Sequence, residues 1–294
     1  MQNLETITRL VCQVAREAGS YIRKERAGFS VEKVERKHAH DYVSYVDKGS
    51  EQLIVSRLRE ILPEAGFITE EGTTRDDASP ITQHPSPFAT PHSQRENTQH
   101  PSPLTWVVDP LDGTTNFIHG YAPYAVSIAL IQGNEQLVGV VYEIVSDECF
   151  YAWKGGKAHI EMRNEKGEMR NDALHVGNSD INDALLCLQL PYNSDAYKPV
   201  IKRLIDRFYG NVGSIRMIGS AAMALCYVAA GRLDGYAERY IGQWDYMAGA
   251  LIVKEAGGKV SNYEGVTTFT QGDSIIATNG VIHEKLLEAV KAAE

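Results

Sequence analysis

Cysteine is scarce and nowhere paired along the chain. Cys12, Cys149, Cys187 and Cys226 stand far apart among apolar neighbours, with no C-x-x-C spacing, which excludes zinc-ribbon and thioredoxin-like readings. Buried free thiols in a reducing compartment account for them. No apolar run approaches the roughly 18 residues of a membrane span. The first residues, "MQNLETITRLVCQVAREAGSYIRKE", lack the charged start and continuous apolar core of a secretory signal. A cytoplasmic protein without membrane contact is expected. Positive charge is also short: 29 Lys and Arg face 38 Asp and Glu, for a formal charge of −9. That balance argues against a nucleic-acid backbone binder, which carries a basic face. The glycine-lysine loop of Walker-type nucleotide binding is missing as well.

What is present is ordinary in bulk, with 294 residues of which 43% are hydrophobic and 23% charged. That is enough chain for one large domain or two lobes with a substantial core. Leu4, Ile7, Leu10, Val11, Val14, Ala15, Ala18 and Ile22 recur at three- and four-residue steps and predict an amphipathic helix. A second helix is expected from about Asp47 to Leu62, with Leu53, Ile54, Leu58 and Ile61 inward and Pro63 closing it. "GFITEEG" (66–72) and "LTWVVD" (104–109) read as strands ending in acids, and 125–133, 137–144 and 149–153 as antiparallel strands. A strand at 184–190 and a helix near 200–209 follow, then helices at 219–231, with a serine cap, and 245–258, with a glycine pair. A last strand at 274–279 leads into a C-terminal helix. The pattern implies a layered α/β (α+β) protein of two lobes, about 1–180 and 181–294.

One stretch belongs to no element. Residues 78–104 hold six of the eleven prolines and three of the nine histidines, and "TQHPSP" occurs at 82–87 and again at 98–103. Such a composition builds no core, so a flexible insertion is expected over 78–103. His84, His92 and His100 invite a metal reading, but the duplication accounts for His84 and His100 without any ligand role.

The chemistry gathers at "WVVDPLDGTTNF" (106–117). Asp109 precedes proline and should stay extended, while Asp112 lies beyond the bend, so both carboxylates can face one cleft. The Gly113-Thr114 turn can start a helix whose amides form an anion pocket. Acids beside an anion pocket repel phosphate unless cations intervene, and oxygen ligands imply Mg²⁺ or a similarly hard ion. Glu70 and Glu71, closing a strand, and Asp245, opening a helix where a cap is the simpler role, could complete the set. An aspartyl-phosphate phosphatase with a D-x-D-G-T turn is the nearest mimic. Its acids sit two residues apart, whereas Asp109 and Asp112 are three apart with a proline between them.

"WVVDPLDGTTNF" and "WDYMAGALIVKEAGG" (244–258) resemble the two signature segments of the inositol monophosphatase family, within the lithium-sensitive, metal-dependent phosphatases. "DYVSYVD" (41–47), "FITEE" (67–71) and "IGSAAMALCYVAAGRLDGYAE" (218–238) match in order, so the resemblance covers nearly all of the chain outside 78–103. It implies a single domain over 1–294 with the αβαβα sandwich of the sugar phosphatases. It also implies two or three Mg²⁺ ions held by Glu70, Asp109, Asp112, Asp245 and the Leu111 carbonyl. By the same resemblance the Gly113 and Thr114 amides hold phosphate beside Asp112, and Thr114, paired with Asp47, orients the attacking water along with Glu70. Glu238 would contact a substrate hydroxyl, and Ala221 would share that wall.

The implied reaction is hydrolysis of inositol 1-phosphate or a similar polyol or sugar phosphate, by a homodimer sensitive to Li⁺. Four carboxylates and a phosphomonoester dianion would be balanced by about three divalent cations, and no protein nucleophile is needed. Fructose 1,6-bisphosphate, an adenosine 3′,5′-bisphosphate or a nicotinamide nucleotide phosphate would need a further anion site, for which Arg216 and Arg239 are the candidates. A binding protein that kept the fold and lost catalysis is the alternative of a different class.

Overall fold

The computed structural model describes residues 3–29, 34–38, 41–72, 103–190, 194–269 and 274–294. The proline-rich stretch, apart from Pro103, lies outside the described residues, as do His84, His92 and His100.

Helix α1 (Leu4–Ala27) leads into the hairpin β1 (Val34–His38) and β2 (Asp41–Ser44), then α2 (Tyr45–Ile61) and β3 (Gly66–Thr69). Next come β4 (Leu104–Asp112), the short α3 (Thr114–His119), β5 (Ala125–Gln132), β6 (Glu135–Glu143) and β7 (Glu148–Trp153). Strands β8 (Ala158–Arg163), β9 (Met169–Ala173) and β10 (Leu185–Leu188) precede α4 (Ser194–Phe208), β11 (Ser214–Arg216) and α5 (Ala221–Ala229). The chain ends with β12 (Gly235–Arg239), α6 (Gln243–Glu255), β13 (Lys259–Ser261), β14 (Ser274–Thr278) and α7 (His283–Ala293).

Strands β3 to β9 form one seven-stranded sheet in chain order, antiparallel except for the parallel β3–β4 pair. A second sheet has the order β11-β10-β12-β14-β13, with β10 parallel to both β11 and β12. Period-two alternation sorts side chains between layers. Trp106 and Val108 on β4 join α1 and α2 in one core, while Val107 between them joins α5 and α6 in another. In the second sheet, Cys187 and Tyr236 face α5 and α6, whereas Leu188 and Ala237 face α4 and α7. The layers therefore run α, β, α, β, α, the sandwich implied by the resemblance.

Helix α6 is the central beam, apolar nearly all round because it is buried between both sheets. It lies so close to β6 that a Cβ on Gly139 would sit 2.5 Å from the Ala248 carbonyl oxygen, so glycine there sets the spacing of sheet and helix. On α1 the expected stripe is buried apart from Leu10, which is 37% exposed, and Leu4, which is partly covered. The four cysteines are free and buried. No helix among the described residues is long and apolar enough to cross a membrane.

Candidate metal and phosphate site

Strand β4 does not stop at Asp109 as its pattern suggested; it continues to Asp112 through a bulge. Asp109 pairs with Ser127 and Asp112 with Ala125, so two residues of β4, Pro110 and Leu111, oppose one of β5. Proline has no amide to give the ladder, which is where bulges are tolerated. In a regular strand residues three apart face opposite ways. The extra residue turns Asp112 to the side of Asp109, toward α5 and α6, while Leu111 between them packs on the α1 side. The sequence "DPLD" thus becomes two buried acids on one face, at 1% and 6% exposure.

Asp245 joins them from α6. Carboxylate oxygens of Asp109, Asp112 and Asp245 all lie within 4.8 Å of one another. The helix begins at Gln243, two residues before the expected start, and Asp245 Oδ2 accepts from the Gly242 amide at 2.7 Å. Cap and cluster are therefore roles of the same side chain. Glu70 follows β3 directly, its amide donating to the Val108 carbonyl at 3.2 Å. It is half-buried, lies outside the three-acid group, and is near enough to act on Asp109 and Asp245 electrostatically. Glu71 also lies outside the three-acid group, and its backbone amide donates to Glu51 Oε2 at 2.8 Å.

The electrostatics of this group are those of acids crowded together away from water. Burial, then Glu70, Asp112 and Asp245, push the Asp109 carboxyl well above the usual range. Burial and the charges of Asp112, Glu70 and Glu238 do the same to Asp245. Burial pushes Asp112 up to about 6, against hydrogen bonds that pull it down. Those bonds come from α5: Ser220 Oγ, the Ala221 amide at 3.2 Å and the Ala222 amide at 3.0 Å. An all-oxygen donor set in so acidic a pocket fits a hard divalent cation.

Beside the acids the chain reverses at Gly113, whose φ of +85° is left-handed, a conformation natural to glycine. The turn opens α3, and the first amides of a helix have no acceptor within it. Thr114, the first residue of α3, places its hydroxyl 3.0 Å from both Asp47 Oδ1 and the Leu111 carbonyl oxygen. Asp47 in turn accepts from the Ser44 amide at 2.9 Å and from Ser44 Oγ at 2.5 Å, in the capping box of α2. Burial raises its pKa, and the Ser44 and Thr114 bonds oppose the rise.

Glu238 stands at the end of β12, half-buried, accepting from the Tyr236 hydroxyl. Burial pushes its carboxyl up to about 8, with Asp112 adding to the rise. Ala221 is buried at the start of α5, near Asp112. The two arginines considered for a second anion site are otherwise engaged. Arg239 pairs with Glu294 at 3.1 Å and Glu264 at 3.8 Å, and lies over Tyr263. Arg216 is exposed and donates to Ser214 Oγ at 2.6 Å. Sequence reading gave Ser220 only a cap, and it passed over Gln189, whose Oε1 accepts from the Ile218 and Gly219 amides at 3.0 and 3.2 Å. The one signal for Gln189 was a polar residue inside the apolar run "ALLCLQL".

The profile of the inositol monophosphatase family matches residues 3–294. An inositol-1-monophosphatase of Mesorhizobium japonicum is 32% identical over 282 residues, covering 96% of this chain and 95% of the relative. A protein named Nus factor SuhB from Pasteurella multocida is 32% identical over 283 residues, covering 96% and 94%. Among solved structures, the extragenic suppressor protein suhB of Bartonella henselae superposes with a TM-score of 0.79 at 31% identity, covering 97% of this chain and 98% of that one.

Proposed function

The chain belongs to the inositol monophosphatase family, and from that premise we propose that it is a Mg²⁺-dependent phosphomonoesterase acting on inositol 1-phosphate or a similar polyol phosphate. The observation that carries this reading is the group of buried Asp109 and Asp112 and half-buried Asp245 within 4.8 Å, set beside the left-handed Gly113 turn.

In this reading Asp109, Asp112, Asp245, Glu70 and the Leu111 carbonyl hold two or three Mg²⁺ ions. Bound divalent cations supply Lewis acidity toward phosphate oxygens and make a neighbouring water more acidic. The protein's own residues do the rest. The Gly113 and Thr114 amides receive the phosphate oxygens. With the Thr114 proton directed at Asp47, the Thr114 oxygen presents its lone pairs to a water and orients it for in-line attack. Asp47 is aligned by Ser44 to hold that proton. Glu238 and Ala221 line the alcohol side of the ester. Buried free thiols suit a reducing, cytoplasmic setting. One domain of two lobes, and the family's dimer and Li⁺ sensitivity, complete the proposal.

The test is phosphate release from inositol 1-phosphate with and without Mg²⁺, in the wild type and in Asp109→Asn. We expect activity only with Mg²⁺ and a loss of about three decades or more in the variant. Near-normal turnover by Asp109→Asn would refute the assignment. A second reading rests on relatives named Nus factor SuhB: a binding role that needs no turnover. A wild-type chain inert toward phosphomonoesters at saturating Mg²⁺ would favour it.

A further inference from the structure

Strands β10 and β12 run parallel with Cys187 opposite Tyr236 and Leu188 opposite Ala237. The Gln189 amide donates to the Ala237 carbonyl at 3.3 Å, so the next rung sets Gln189 beside Glu238. Cys187 and Tyr236 face the α5–α6 layer, and Leu188 and Ala237 face away. By alternation Gln189 and Glu238 face α5 and α6, the side on which the acid cluster lies.

The Gln189 side chain is 6% exposed, and its Oε1 accepts two backbone amides, Ile218 and Gly219. Only an oxygen can accept those protons, so the orientation of the amide is fixed and its Nε2 is the end left over. No partner for Nε2 is found among the described residues. The segment that Oε1 holds runs straight into Ser220 and Ala221, both bonded to Asp112. Glu238 spends one oxygen on the Tyr236 hydroxyl, leaving Oε1 as an acceptor. A fixed donor and an available acceptor therefore stand side by side on the wall next to the candidate metal site.

We infer that Gln189 and Glu238 form a donor–acceptor pair that selects esters carrying adjacent hydroxyls beside the phosphate. Gln189 Nε2 donates to the oxygen of one hydroxyl, and Glu238 Oε1 accepts the proton of its neighbour. This rests on the phosphatase reading above and adds a specificity residue to it. Gln189 is polar directly after the apolar β10 because it faces a polar ligand, and its clamp on residues 218 and 219 keeps the donor in register with Ala221.

Two variants separate the roles. Gln189→Glu keeps an oxygen for the Ile218 and Gly219 amides and replaces the Nε2 donor; Gln189→Met keeps the length and removes both. Each is assayed with Mg²⁺ on inositol 1-phosphate and on p-nitrophenyl phosphate, with thermal melting alongside. The ratio of kcat/KM for inositol 1-phosphate over p-nitrophenyl phosphate should fall about ten-fold or more in both variants, mainly through KM. Only Gln189→Met should also melt lower. A ratio equal to that of the wild type in Gln189→Glu would overturn the inference and leave Gln189 as a clamp on the 218–219 turn. Equal losses on both substrates would also overturn it, placing Gln189 in support of the phosphate site. Wild-type inertness toward both esters is a different failure, since it removes the phosphatase reading itself and this pair with it.

Discussion

At Asp112 one carboxylate accepts from Ser220 Oγ and from the Ala221 and Ala222 amides while facing Asp109 and Asp245. The first turn of α5 thereby aims an acid that its own strand only brings nearby. Ser220→Ala should cost about 1 kcal/mol as a lost cap and let Asp112 turn away, lowering turnover about ten-fold. Ser220→Thr, which keeps the hydroxyl, should restore both; a Thr variant as impaired as the Ala variant would refute this link. Glu238 invites a sharper contrast. Glu238→Gln should raise KM for inositol 1-phosphate one to two decades and lower its preference over p-nitrophenyl phosphate correspondingly, and parallel losses on both would move Glu238 toward the cations. Asp109 and Asp112 were legible in sequence because acids seldom end an apolar strand around a proline. The bond from Ser220 to Asp112 was not, since it joins residues 108 apart and leaves no periodicity to read.

Elements were legible where one face repeats and obscure where both faces are buried or the piece is short. Helix α1 declared itself by its stripe, and β5 and β6 by apolar runs between turns. The strands β11, β12 and β13 have three to five residues each, too few for an alternation to stand out, and β12 begins with a glycine that reads as a turn. The extension of β4 past Pro110 was hidden because a bulge is set by the partner strand. Two predictions belong here. A Cβ at Gly113 would lie 3.2 Å from the Gly219 and Pro123 carbonyl oxygens, on a backbone with φ +85°. Gly113→Ala should therefore cost about 1–3 kcal/mol, read as a lower melting temperature, and remove most turnover; an unchanged melt would mean the turn relaxes. On α6, Asp245→Asn still offers an oxygen to the Gly242 amide. It should melt near the wild type yet lose turnover, whereas Asp245→Ala should lose both.

At the scale of the whole molecule, the acids come from the first sheet at the end of β4, from α6 in the central layer and from the end of β12, the middle strand of the second sheet, so their charge bears on how the layers stay together. Each is held protonated more strongly in the folded chain than in the unfolded one. Asp112 rises from its ordinary 3.8 to about 6 and Glu238 from 4.5 to about 8, while Asp109 and Asp245 rise further than the usual range. A raised acid contributes stability below its unfolded pKa and loses it as pH rises through the folded one. For Asp112 alone the shift corresponds to something on the order of 3 kcal/mol. In chelator, then, stability should decline as pH rises from about 4 to about 8. Mg²⁺ binds the deprotonated carboxylates and should offset that decline, by more at higher pH. His283 works in the opposite sense, since burial lowers its pKa from 6.5 to about 4 and its contribution is lost as pH falls through that interval. It lies away from the acids, bonded to Ser261 and Thr278, so it cancels in the difference between melts with Mg²⁺ and with chelator. That difference should widen by several degrees between about pH 5 and about pH 8 and shrink in Asp109→Asn. A gap independent of pH would mean the acids already find their compensation within the protein, and the metal reading of the cluster would lose its physical basis.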